Sequence, residues 1–168
     1  MNRTLKLTLM LLFISLFSVS LFAQEAENTV EKSQIADGVT LEHSKVKDMM
    51  GSVDKLFIDV DGTNTEIFNS EGRAIKQVMP VDGDSDGKLE YIVSMDCGGS
   101  GGYYDLVLLK AKEGVWTTAW EDSFAQPKLT LDKEKNILFI EYYEIENDKP
   151  VKKLAKLDLS TNSLVKRQ

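Results

Sequence analysis

The 168-residue chain has one cysteine, Cys97, and one histidine, His43. A single cysteine excludes an internal disulfide, so the fold must rest on packing and on any ion it binds. Cys97 lies between Asp96 and Gly98 with no basic neighbour to lower its pKa, which marks an inert thiol. One histidine leaves little room for histidine-ligated metals, and His43 reads as a surface or capping residue. Basic excess is also missing. Lys and Arg number 20 against 27 Asp and Glu, for a formal charge of −7. With no basic run or stripe, nucleic acid and anionic lipid surfaces are poor partners. The acidity favours solubility and cation binding.

What is present begins with an address. Arg3 and Lys6 precede an apolar run over residues 7–22, then the small Ala23 and the polar Gln24-Glu25-Ala26-Glu27. Basic start, apolar stretch and small cleavage residue make residues 1–23 a secretory signal peptide. The run is shorter than the roughly 20 residues that span a bilayer, and no basic stop-transfer cluster follows it. No cysteine near residue 23 offers a lipid anchor. The expectation is a secreted or periplasmic protein, not membrane-embedded after cleavage. Without Arg3 and Lys6 the formal charge moves from −7 to −9.

Residues 24–37 are acidic and poor in large apolar residues, so they read as a flexible leader. Residues 38–168 read as a single β domain. Val39-Thr40-Leu41 suits a first strand, and residues 42–50, stopped by Gly51, suit one short helix. From Lys55 onward the pattern is strands. Residues 55–60 and 63–68 flank Asp61-Gly62, a two-residue hairpin signal. Further strands are expected over 74–81, 89–95, 103–110, 115–120, 129–132, 137–145, 151–158 and 164–166. Short strands separated by frequent turns predict an all-β antiparallel meander, either a sandwich or a curved sheet. At about 40 residues per blade the chain holds about three blades, too few for a closed propeller.

The most distinctive stretch is Asp82-Gly83-Asp84-Ser85-Asp86-Gly87-Lys88-Leu89-Glu90. Four carboxylates in nine residues repel one another unless a cation lies among them. Hard oxygen donors at this spacing suit Ca²⁺, which takes six to eight oxygens. Asp82, Asp84 and Asp86 are the expected side-chain ligands, Lys88 a carbonyl ligand and Glu90 the closing carboxylate. Gly87 permits the turn. The loop is no EF-hand: its twelfth position is Val93, and the flank is strand-like. The pattern D-x-D-x-D-G-x-x-E leading into an apolar strand resembles the calcium loop of FG-GAP and VCBS-type repeats, as in integrin α-subunit propellers. The resemblance covers about 40 residues, around 74–116, and implies a structural ion and strands related to propeller blades. A second copy is absent: Asp59-Val60-Asp61-Gly62 has its glycine two places too early.

Two other stretches invite function. Gly98-Gly99-Ser100-Gly101-Gly102 formally matches G-x-S-x-G, but Ser100 would need a strand-to-helix elbow and His43 as base. A glycine loop that lets a ligand or partner approach, close to the ion, fits better. Trp116 and Trp120 are four apart in a strand, which predicts one shared face that packs in the core or stacks on a sugar or peptide. The sequence thus points to an exported calcium-binding β domain that binds an extracellular or periplasmic protein or glycan. An exported hydrolase and a secreted enzyme inhibitor are the alternatives.

Overall fold

The computed structural model describes residues 29–36, 38–45, 52–60 and 62–167. The expected signal peptide 1–23 and the start of the leader lie outside the described residues. So does the second half of the expected helix.

The described chain is all-β, in two antiparallel sheets. A four-stranded sheet runs in chain order through β1 (Thr29–Ala36), β2 (Val39–Lys45), β3 (Ser52–Val60) and β4 (Thr63–Asn69). The second sheet has seven strands, also in chain order: β5 (Ala74–Val81), β6 (Glu90–Asp96), β7 (Tyr103–Lys112), β8 (Val115–Asp132), β9 (Ile137–Glu146), β10 (Lys149–Asp158) and β11 (Ser163–Arg167). Both are meanders, as the regular turn spacing predicts. The expected pairing across residues 55–60 and 63–68 forms, with Val60 opposite Thr63.

Two expectations are corrected. From Thr29 the leader is strand β1, paired along its length with β2. It buries little of its own, and its backbone finds partners in the ladder. Residues 42–45 are strand, not helix: Leu41 faces Leu56 and His43 faces Asp54 across β3. Pairing with distant residues outweighs local helical spacing here.

The central strands are buried on both faces, which explains the unbroken run Tyr91-Ile92-Val93. On one face Ile92, Leu106, Leu108, Phe124, Leu138, Ile140, Tyr142, Ala155 and Leu157 form an inner core with Val81 and Leu159. Val81 in the first strand of this sheet and Leu159 beyond the sixth share one cluster, so the sheet curls strongly without closing. On the other face Tyr91, Val93, Met95, Val107 and Leu109 pack on Val39, Leu56 and Ile67 of the small sheet. Each fully buried side chain of this size is worth about 1.5–3 kcal/mol.

The tryptophans do not share a face. Leu108 pairs with Trp120 but Leu109 with Thr118, leaving Ala119 as an extra residue in β8. That bulge reverses the alternation. Trp116 therefore packs beside Tyr91 between the sheets, with ring centroids 5.4 Å apart. Trp120 packs near Phe124 in the inner core, at 6.4 Å.

Candidate metal loop and glycine loop

The acidic loop joins β5 to β6. Ser85 and Gly87 both adopt left-handed backbone, φ 60° and 81°, which Gly87 reaches without cost. The loop is tied by its own aspartates. Gly87 N–H donates to Asp82 Oδ2 at 3.2 Å, Asp86 N–H to Asp84 Oδ1 at 3.3 Å and Lys88 N–H to Asp86 Oδ1 at 2.8 Å. These bonds turn the three carboxylates toward one another, with one oxygen from each lying within 4.8 Å of the others. All three are exposed. The Lys88 backbone N–H, and then its ammonium, hold the Asp86 carboxyl below the usual range.

Glu90 does not join them. It is buried, its Oε2 accepts from Gly83 N–H at 2.6 Å, and its Oε1 lies 3.6 Å from Lys110 Nζ. It anchors the loop from below. The donor set facing outward is thus three carboxylates. They are hard, anionic and grouped, which fits Ca²⁺ with water or backbone oxygens completing the shell.

Three residues that sequence reasoning did not single out seat this loop. Gly83 leaves no room for a side chain: a Cβ there would lie 2.8 Å from Leu159 Cβ. Lys110 Nζ donates to Leu159 O at 2.8 Å. Asn136 Nδ2 donates to Ser85 Oγ at 2.8 Å. The loop is therefore the clasp across the curl of the large sheet. A cavity of about 360 Å³, lined partly by Asp82, Ser85, Lys133 and Asn136, opens beside it.

The glycine loop 98–102 is not near the aspartates. It leaves the other end of β6, seven residues and about 20 Å away. Gly98, Gly99 and Gly102 have φ of 75°, 81° and 61°. Gly98 N–H donates to Asp96 Oδ1 at 2.8 Å, and Cys97 N–H to Tyr103 O at 3.0 Å. Burial and then Asp105 push the Cys97 thiol up to about 11, so it stays protonated at neutral pH. Beside it Asp105 accepts from Ser123 Oγ at 2.5 Å and pairs with Arg73. Burial opposes ionisation of Asp105, but these partners hold its carboxyl below the usual range.

Ser100 continues into strand β7 and not into a helix. His43 Nδ1 lies 2.5 Å from Asp54 Oδ1, and Asp54 also accepts from Ile75 N–H at 2.7 Å. Asp54 N–H in turn donates to the buried Ser70 Oγ at 3.0 Å. His43 is thus part of a polar joint between the two sheets, and no hydrogen bond joins it to Ser100 among the described residues.

No family model and no curated protein matches the chain. Among solved structures, it is similar to the crystal structure of uncharacterized protein lmo1340 from Listeria monocytogenes EGD-e, with a TM-score of 0.49 and 12% identity. The match covers 83% of this chain, which spans 40% of that protein.

Proposed function

We propose that this is an exported calcium-binding β domain that acts as a binding module for an extracellular or periplasmic protein or glycan. The observation that carries the reading is the grouping of Asp82, Asp84 and Asp86, with ligand oxygens within 4.8 Å of one another. Three exposed carboxylates so close repel one another, and a divalent cation relieves that repulsion. The likeness of residues 82–90 to the FG-GAP and VCBS calcium loop supports the choice of ion. Export rests on the signal pattern of residues 1–23. The ion's role is structural: Asp82, Asp84 and Asp86 hold it, and it stiffens the clasp through which Gly83 meets Leu159.

A thermal melt in calcium and in chelator tests this. Calcium at 100 times its dissociation constant adds about 2.7 kcal/mol, a visible share of a total near 5–15 kcal/mol. Asp84→Ala abolishes the shift. A wild-type midpoint that ignores both calcium and chelator overturns the reading.

A further inference from the structure

The far end of β6 carries a second feature that the calcium loop does not explain. Tyr103, Ala125 and Tyr143 are direct cross-strand partners on β7, β8 and β9. Partners in register share a face. The two tyrosines therefore flank Ala125, two strand spacings or about 10 Å apart. Both rings are largely exposed, Tyr103 by 49% and Tyr143 by 41%. Their neighbours Phe124 and Tyr142 point into the inner core instead. Between the tyrosines lies a slot of about 380 Å³, completed by Gly101, Gln126, Ile145 and Pro150.

The glycine loop supports the walls of this slot. A Cβ on Gly101 would lie 2.9 Å from Tyr103 Cδ2, so loop backbone rests against that ring. A Cβ on Gly102 would lie 3.2 Å from Gln126 Cγ. Gln126 N–H donates to Gly102 O at 2.8 Å, and Gln126 holds a left-handed φ of 49°. Such backbone costs on the order of 1–3 kcal/mol and persists where surroundings enforce it.

We propose that this slot binds one neutral pyranose ring of a glycan. The exposed faces of Tyr103 and Tyr143 offer apolar surface to the C–H groups of a sugar ring, and the slot of about 380 Å³ has room for one. In a chain of formal charge −7, the slot itself is lined by no charged side chain. Glu144 and Lys166 line an adjoining cavity, and Lys152, opposite Tyr143, is paired with Glu141 at 2.7 Å. An uncharged ligand therefore fits better than a phosphorylated or uronic one. The Gln126 amide and two phenol hydroxyls supply donors and acceptors for sugar hydroxyls. The proposal rests on the binding-module reading for its context, yet its site is separate from the aspartates.

The test is titration of the full chain with neutral tetrasaccharides of glucose, mannose and galactose, alongside an acidic oligogalacturonate. Saturation-transfer NMR gives the readout, with thermal melts as a fold control. At least one neutral tetrasaccharide binds, and Tyr103→Ala and Tyr143→Ala each weaken it about tenfold. Tyr143→Phe retains binding, and Ala125→Leu, which fills the floor, removes it. Asp84→Ala binds sugar like wild type while losing its calcium shift, so the two readings fail separately. No neutral sugar bound at millimolar concentration overturns the proposal. So does binding that survives Ala125→Leu, or a preference for the acidic sugar or for an aromatic peptide. Should the tyrosine variants unfold, Ala125→Leu alone decides.

Discussion

The two ends of β6 solve the same problem, a connection between antiparallel strands, with opposite materials. At the Glu90 end the turn is made of carboxylates that bond their own backbone, and it is seated by the ion pair of buried Glu90 with half-buried Lys110. At the Asp96 end it is made of glycines, and it is seated against an aromatic ring and an amide. The first end carries its charge in the turn itself, whereas the second keeps its charges, Asp96 and the Arg73–Asp105 pair, outside the glycines. The difference teaches that a turn's chemistry follows from how its backbone is satisfied. Aspartates that cap N–H groups keep oxygens facing outward, whereas glycines let the chain come close enough to hold a side chain in place.

The sharpest way to break this comparison is Glu90→Ala. It leaves the Gly83 N–H unpaired and Lys110 with Leu159 O alone, and costs about 3 kcal/mol, read by urea unfolding. Glu90→Gln keeps the bond to Gly83 and recovers part of that loss, with calcium affinity largely retained because Glu90 stands apart from the aspartates. A large fall in affinity for Glu90→Gln would return it to the ligand set. Asp105→Ala, next to the glycine end, costs about 1.5–3 kcal/mol through its lost charged hydrogen bonds. Because its folded pKa is depressed, its contribution is full above the ordinary carboxylate value of 3.8 and fades as pH falls through the lower folded value. Unfolding free energy followed into acid is therefore flatter in Asp105→Ala than in wild type. Gly83→Ala forces Leu159 to move and costs about 1–3 kcal/mol, whereas Gly101→Ala meets only an exposed ring and costs less than about 1 kcal/mol. Equal costs at the two glycines would erase the distinction between a clasp and a support.

Much of this architecture was legible in the sequence. Period-two patterning marks strands that bury one face, and the unbroken apolar run marks β6, which is buried on both. The Asp-Gly hairpin and the acidic loop were readable because turn chemistry is local. What escaped depends on partners far away in sequence. Thr29–Ala36 carries too few apolar residues to declare itself, yet pairs with β2 apart from a register shift between Gln34 and Ala36. The strands expected at 115–120 and 129–132 are one, β8, carried through Pro127 by a bulge between Ala125 and Lys128. Trp116 and Trp120 were placed on one face by counting, and one extra residue at Ala119 parts them. Glu90 is a candidate ligand by spacing, and its contacts with Lys110 and Gly83 are ones that no local pattern announces. The Tyr103–Ala125–Tyr143 row could not be found by any reading along the chain, since it exists only across three strands.

The bulge at Ala119 also equips the protein with two optical reporters in different surroundings. Trp116 beside Tyr91 senses the seam between the sheets, and Trp120 near Phe124 senses the interior of the curl. With Trp120→Phe or Trp116→Phe, indole fluorescence follows one region at a time through denaturation. Coincident traces identify a single cooperative unit, and separated ones reveal the small sheet peeling away first.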